Sequence, residues 1–487
     1  MMNKGHISSY DPSLEKNLRQ AINPYLPCWE YVPDGEPYLF GDRVYVYGSH
    51  DVFGESVYCP GDYVCWSAPA NDLGAWRYEG VIYKKSQDPH NADLQGNLYA
   101  PDVCVGPDGR YYLYYVLSNW GVVSVAVCDT PAGQYEFLGY VRYPDGQLLG
   151  QAKGDEPQFD PGVLMENGRV YLYTGFCPRG DRGRHGAMCT VLKGDMLTVE
   201  RAPVFVAPGC EYSGGTGFEE HAFFEAPSIR KVDGQYCFIY SSEKCHELCW
   251  ALSDRPDGGF RYMGVLVSGC DMGIADKKPA QLPLYYTANN HGSIIELENQ
   301  WYVFYHRHTN GTNYARQGCF ERLHRDAQGR FLQAEITSCG GVSPLRGEGA
   351  YPTYIACNLF TETPCVYVPW SGFMDDRFPR ITQQPVEKGQ SYIANLRPGA
   401  TAGFKYFDIK KLKAIAVRTM GYATGFVKVS VERNGPALCQ IPIGYANVWQ
   451  DNEAPAQIPD GVHALYFTFE GEGFLQFSEF RLIADIG

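Results

Sequence analysis

Residues 40–49 read FGDRVYVYGS, and the same design returns four times: PDGRYYLYYV at 107–116, ENGRVYLYTG at 166–175, VDGQYCFIYS at 232–241 and LENQWYVFYH at 297–306. Each opens on a glycine or a polar pair and continues as a run of aromatic and β-branched residues, the sequence signal of a β-hairpin. The turns centre on Gly41, Gly109, Gly168, Gly234 and Asn299, so the successive spacings are 68, 59, 66 and 65 residues. One such unit cannot bury both of its faces, and five at near-constant spacing imply packing around an axis. The pattern predicts an all-β fold that begins with a five-bladed β-propeller, in preference to an array of sandwiches. The period exceeds that of short-blade propellers and leaves room for loops on one face.

The residues just ahead of these turns carry the chemistry. Asp34 and Asp102 each stand seven before their turn, Asp160 and His291 eight, and Glu225 nine. In a propeller the innermost strand of each blade lines the central channel, so equivalent positions converge. Four carboxylates and a histidine in one place repel unless some are protonated or bound to a partner. A single Asp ahead of a turn is commonly a cap for local N–H groups. Recurrence in every unit favours a shared site.

The rest of the composition narrows the function. The chain has 487 residues, enough for two to three domains, and a net charge of −14 with no basic stripe. That balance argues against nucleic acid or an anionic membrane as partner and leaves neutral polymers open. The opening MMNKGHISSYDPSLEKNLRQ lacks an apolar stretch of signal-peptide length. Together with 17 cysteines in no framework spacing, this predicts a cytoplasmic protein with free, mostly buried thiols. Cys245, His246 and Cys249 have the best metal-like spacing; they read as incidental thiols around a turn, and no zinc is assigned to them.

From about Asn23 to Gly341, the ordered set NPYLPCWEYVPDGEPYLFGDRVYVYGSHD, YAPDVCVGPDGRYYLYY, FDPGVLMENGRVYLYTG, FFEAPSIRKVDGQYCFIYSS and NNHGSIIELENQWYVFYHR resembles the blades of glycoside hydrolase family 43. The resemblance implies hydrolysis of arabinofuranosyl or xylosyl linkages with inversion, using two carboxyl groups and a water. By motif it implies Asp34 as general base, Glu225 of Glu-Ala-Pro as general acid, and Asp160 of Phe-Asp-Pro as the carboxylate that orients the acid and tunes its pKa. Where the family has Asp-Pro-x-Pro this chain has Asp34-Gly35-Glu36-Pro37. Strand alternation alone does not choose between Asp34 and Glu36; the resemblance chooses Asp34. Glu219 and Glu220 read as loop charges.

For the sugar, the resemblance implies Arg307 in the pocket and His291 near the axis. His291 is either a core histidine or the ligand of a hydrated structural calcium; no other cofactor is implied. Asp102 is read as a structural residue or a hydrogen-bond partner of sugar hydroxyls. Phe53 and Trp120 are the candidates for an aromatic wall against the sugar face.

After Gly341 the repeat stops. The expected division is an N-terminal extension (1–22), the propeller (23–341), a connector (342–359) and an antiparallel β-sandwich of jelly-roll type (360–487). The last part resembles carbohydrate-binding module family 6 at Trp449-Gln450 and Gly461 to Tyr466, with Trp449 read as core. The terminal FLQFSEFRL has Gln476 and Ser478 but lacks the late asparagine of that family, so the sandwich is read as a packing partner at least as readily as a binder. The whole predicts an inverting hydrolase removing terminal α-L-arabinofuranosyl residues from arabinoxylan-derived oligosaccharides. An exo-β-1,4-D-xylosidase, or a bifunctional enzyme, acting on xylo-oligosaccharides is the alternative, and a non-catalytic glycan-binding protein a distant one. Invertase-type signatures (Asn-Asp-Pro-Asn, Glu-Cys) are absent.

Overall fold

The computed structural model describes residues 20–485 apart from 275–281, 287, 364–374, 376 and 387. Five antiparallel sheets follow one another in chain order. Blade one is β1 (Glu36–Phe40), β2 (Arg43–Tyr47), β3 (Tyr63–Pro69) and β4 (Arg77–Tyr83). Blade two is β5 (Leu98–Val105), β6 (Tyr111–Leu117), β7 (Trp120–Cys128) and β8 (Glu136–Tyr140). Blade three is β9 (Gly162–Glu166), β10 (Arg169–Thr174), β11 (Gly186–Leu192) and β12 (Val199–Pro208). Blade four is β13 (Phe223–Val232), β14 (Gln235–Ser242), β15 (Glu247–Ser253) and β16 (Arg261–Ser268). Blade five has three strands, β17 (Ile294–Leu297), β18 (Gln300–His308) and β19 (Arg316–Leu323).

The quoted turns fall between the first two strands of each blade, and their central residues have positive φ: Gly41 64°, Gly109 81°, Gly168 73°, Gly234 83° and Asn299 64°. In blades three, four and five both loop residues are left-handed (Asn167 and Gly168, Asp233 and Gly234, Glu298 and Asn299). That is the two-residue turn whose twist matches the flanking strands. Gly292 has a different role: a Cβ there would lie 1.9 Å from the Phe304 carbonyl oxygen.

Blade five is completed by the start of the described chain. The Tyr25 N–H donates to the Gly318 carbonyl (3.2 Å) and the Asn23 N–H to that of Ser338 (2.9 Å). The buried Asn23 side chain mimics a strand, accepting from the Phe320 N–H (2.9 Å) and donating to the Phe320 carbonyl (2.9 Å). The ring is closed by joining its two ends through hydrogen bonds that water cannot reach.

The second domain is a β-sandwich. Its strands are β20 (Leu345–Arg346), β21 (Gly349–Pro352), β22 (Asn358–Phe360), β23 (Arg380–Gln383), β24 (Ser391–Leu396), β25 (Thr401–Ile409), β26 (Leu412–Ser430), β27 (Cys439–Ile443), β28 (Ala446–Pro455) and β29 (Gly461–Ala484). The long strands β26 and β29 pair along most of their lengths and carry the shorter ones on their flanks. The segment read as a connector is corrected: β20, β21 and β22 pair with β25 and β29, so 345–360 belongs to this sheet system. In β29 burial alternates through Leu465, Phe467 and Phe469, then shifts phase at Phe477 and Phe480. The extra residue is Ser478, opposite the register shift between Arg418 and Thr419. Trp449 is also corrected: it is half-exposed on β28, edge-on to Tyr392 at 5.8 Å.

The two domains share an apolar core that runs from Trp250, Ile294 and Val303 to Phe404, Phe467 and Phe480. Polar contacts pin it. Lys405 donates to Asp271 (2.6 Å) and Glu335 (2.8 Å), and Asn358 to Asp271 (3.1 Å). Apart from Cys28, the fifteen described cysteines form no disulfide with one another, and twelve of them are buried; Cys365 lies outside the described residues.

Candidate active site

A cavity of about 340 Å³ opens at the propeller axis, with Asp34, Asp160, Glu225 and His291 in its lining. Each carboxylate is presented by a local break in the inner strand. Asp34 (φ 59°) and Asp160 (φ 44°) are left-handed immediately before β1 and β9, and Ala226 (φ 63°) follows Glu225 within β13. These residues pay no glycine-like discount for positive φ, and such strain concentrates where side-chain direction matters. In blade four the register slips between Glu225 and Ser228, which turns Glu225 toward the axis.

Electrostatics divide the three carboxylates. Burial raises the pKa of Asp34, but the Arg316 guanidinium (3.0 and 3.3 Å), with His306 and His291 beside it, outweighs burial and holds Asp34 well below the ordinary range. Arg316 is aimed by Asp51, which takes its Nε (2.9 Å), its Nη2 (3.0 Å) and its backbone N–H (3.0 Å). Its remaining edge faces Asp34, and its plane lies 4.9 Å from the Tyr58 ring. Glu225 is pushed up to about 8 by burial and by the Asp34 charge, against the lowering effect of Arg316 and of the hydrogen bond from Asn289. Asp160 is also raised, by burial and by the charges of Glu225 and Asp34, although the Ala226 N–H donates to it at 3.3 Å. Two carboxyls that repel in a low-dielectric site retain protons that isolated ones would lose.

His291 forms the floor. Its Nδ1 lies 3.7 Å from Asp160 and 4.0 Å from Asp34, and its Nε2 3.9 Å from Glu36. Burial, with His306 and Arg316 nearby, lowers it to about 4 despite the Asp34 charge, so the ring is neutral at pH 7. Of the three carboxylates around it, Asp34 is paired with Arg316 and Glu36 with Arg230 (2.6 Å). Calcium takes six to eight oxygens. Asp34 and Glu36 are already engaged by guanidinium groups, so they do not offer a direct calcium shell, and an ion at His291 would be held through water.

Several site expectations need correction. Arg307 does not reach the cavity: it donates to the carbonyls of Ala356 (2.9 Å) and Tyr354 (2.5 Å) and to Gln317 (2.9 Å), so it belongs to the interdomain contact. The pocket arginine is Arg316. Of the two readings of Asp102 the structural one holds and the sugar-binding one does not: it lies outside the lining, accepting from Tyr38 (2.7 Å), the Val103 N–H (2.8 Å) and the Val163 N–H (2.7 Å), which ties blade two to its neighbours. Counting back from the turn misaligned it. The register slip of the inner pair in blade two falls between Tyr99 and Asp102, as the second of the two in blade four falls between Glu225 and Ser228. Tyr99 therefore occupies the Glu225 position, and it does line the cavity. Glu36 is buried beneath His291, away from the lining.

The aromatic wall is also made of other residues. Phe53 packs on Tyr31 (6.1 Å) and Trp120 stacks on His90 (3.7 Å); neither lines the cavity. The wall is the chain of rings Tyr99, Phe159, Phe176 and Phe224, with successive centroids 5.8, 4.9 and 5.3 Å apart. Trp120→Ala is accordingly expected to leave kcat/KM within about twofold, whereas Phe176→Ala raises KM at least about tenfold, as loss of a buried ring face implies. Steady-state kinetics of the two variants on one substrate check this. Glu219 and Glu220 are exposed loop charges.

Five blades around a pocket of unequally protonated carboxyls define a β-propeller glycoside hydrolase. Residues 40–331 match the family model described as Glycosyl hydrolases family 43. A xylosidase/arabinosidase of Thermoclostridium stercorarium is 56% identical over 471 residues, spanning 96% of this chain and all of that one. An arabinoxylan arabinofuranohydrolase of Paenibacillus polymyxa is 23% identical over 95% of this chain and 72% of its own. Among solved structures, the family 43 arabinoxylan arabinofuranohydrolase of Bacillus subtilis, in complex with cellotetraose, shares the fold over 96% of this chain and 100% of its own (TM-score 0.50, 19% identity). The Xanthomonas citri enzyme complexed with xylotriose shares it over 66% and 96% (TM-score 0.52, 23% identity). The chain belongs to glycoside hydrolase family 43.

Proposed function

We propose that this chain is an inverting exo-glycosidase that removes terminal α-L-arabinofuranosyl residues from arabinoxylan-derived oligosaccharides. The observation that carries the reading is the convergence of Asp34, Asp160 and Glu225 on one cavity, where Arg316 holds the Asp34 pKa down against burial while burial and the Asp34 charge push that of Glu225 up. Asp34 takes a proton from the water that attacks the anomeric carbon, and Glu225 gives its proton to the departing glycosidic oxygen. The products are the inverted sugar and a free hydroxyl, and proton exchange with solvent resets both carboxyls. Asp160 positions Glu225 through the adjacent Ala226 N–H, and repulsion from Glu225 and Asp34 raises the Asp160 pKa.

A volume near 340 Å³ sits at the small end of ligand cavities, which suits one terminal sugar unit better than a length of polymer. The ring wall offers apolar faces to a pentose. The names of the Paenibacillus and Bacillus relatives favour arabinofuranosyl removal. The name of the Thermoclostridium relative, xylosidase/arabinosidase, covers both activities and supports a second reading, β-D-xylosidase or bifunctional activity at the same carboxyls. The reading places the enzyme in a reducing compartment, acting on imported fragments, which 17 cysteines in no framework spacing support.

The test compares kcat/KM on aryl α-L-arabinofuranoside and aryl β-D-xyloside. A preference for the arabinoside of at least about tenfold is expected, a ΔΔG‡ of about 1.4 kcal/mol. A reversed preference promotes the second reading. Absence of turnover on both by folded protein overturns the assignment of substrate class.

A further inference from the structure

Behind the cavity wall, three side chains of blade four bring metal-ligating atoms together. His221, in the loop that leads into β13, places Nδ1 2.8 Å from Glu247 Oε2 and 3.9 Å from Cys249 Sγ. The same sulfur lies 3.8 Å from that oxygen. Glu247 and Cys249 are two apart on β15, so they face the same side of the sheet. The triangle encloses a position about 2 Å from all three atoms, close to the zinc bond lengths of about 2.0–2.1 Å to histidine, 2.0–2.2 Å to carboxylate and 2.3 Å to thiolate.

The neighbours hold these ligands as an outer shell does. The His221 ring stacks on Tyr262 at 4.8 Å, and its carbonyl accepts from the Tyr240 hydroxyl at 2.7 Å. The Ser242 hydroxyl donates to Glu247 Oε2 (2.9 Å), and Lys244 approaches the other carboxylate oxygen at 3.7 Å. Such fixation is what distinguishes a built site from adjacent polar residues. The Cys-His-x-x-Cys run noticed in the sequence does not itself converge. Cys245 lines the active cavity, and His246 Nδ1 meets Ser268 at 3.0 Å. Only Cys249 of that run joins the cluster.

We propose that His221, Glu247 and Cys249 bind a divalent cation of the zinc class, with the fourth position left to water. Binding replaces protons: Cys249 releases its thiol proton to solvent, and His221 keeps one ring proton, on Nε2, so that Nδ1 is free to ligate. Glu247 changes from acceptor of the imidazole N–H to ligand. His221 stands four residues before Glu225, so the ion ties the entry of β13 to β15 immediately behind the wall. The site stands on its own geometry and does not require the role proposed for Glu225.

The experiment is an anaerobic titration of the reduced full-length protein with Co(II), read by the visible bands of tetrahedral cobalt and the near-ultraviolet sulfur-to-cobalt charge-transfer band. Saturation at one equivalent is expected, with displacement by Zn(II). The charge-transfer band is lost in Cys249→Ser, and affinity falls at least about tenfold in His221→Asn, which retains the thiol. Absence of a charge-transfer band in the parent overturns the proposal. So does a band that survives in folded Cys249→Ser, or one unchanged in His221→Asn. A band lost in Cys245→Ser but kept in Cys249→Ser overturns it in favour of the cavity thiol.

Discussion

Glu225→Ala lowers kcat/KM on natural pentosyl oligosaccharides by about 10²–10⁴-fold, and by far less on an aryl glycoside whose leaving group is acidic. The split follows from what the proton does. A sugar hydroxylate is a poor leaving group and needs Glu225 to protonate it, whereas a nitrophenolate departs almost unaided. Asp34→Asn shows no such split, because water must be activated whatever departs, and both substrates lose about the same factor. The pH profile of the parent enzyme has the matching sign. Glu225 works in its protonated form, so kcat/KM falls as pH rises through about 8. Asp34 works ionised, and Arg316 holds its pKa well down against burial, so the acid limb lies below the ordinary carboxylate range. With Glu225→Ala on the aryl substrate the alkaline limb flattens. Equal losses on both substrate types would remove Glu225 from the role of acid.

How far these groups could be read from the sequence depended on how local their signal is. Asp34, Asp160, Glu225 and His291 each precede a hairpin turn, so a recurrent turn brought them to one axis on paper, and they do share one cavity. Asp102 shared the offset and went elsewhere, because a register slip of inner strands is invisible when residues are counted back from a turn. The wall was half legible: Phe159 and Phe224 are the residues directly before Asp160 and Glu225. Arg316 left no such trace. It opens β19 after a loop, and its significance comes from Asp51, which lies 265 residues earlier in the chain. Arg307 looked better placed because it sits on the fifth hairpin, yet alternation along β18 sends it toward Gln317 and the second domain. The connector was misread for a related reason. Strands of two to four residues have too little periodicity to register, and only pairing with β25 and β29 makes them strands.

The second large effect is on stability, at the seam between the domains. Lys405→Met is expected to cost about 3–5 kcal/mol, the range for breaking a buried ion pair from one side. Lys405 and Asp271 are both fully buried, and the amine also reaches Glu335. Removing the lysine leaves Asp271, among the described residues, with two neutral donors, the Ile336 N–H (2.9 Å) and the Asn358 amide (3.1 Å), and no counter-charge. Arg307→Met at the same seam frees two carbonyl oxygens instead, and unsatisfied neutral groups cost about 1–3 kcal/mol each. The decisive comparison is the double variant Lys405→Met/Asp271→Asn. Removing both charges deletes the uncompensated ion along with the pair, so the double variant is expected to recover at least half of the single variant's loss in urea-denaturation midpoint. If the losses instead add, the cost lies in the packing of the lysine stem against the sandwich, and the ion pair does not pin the seam.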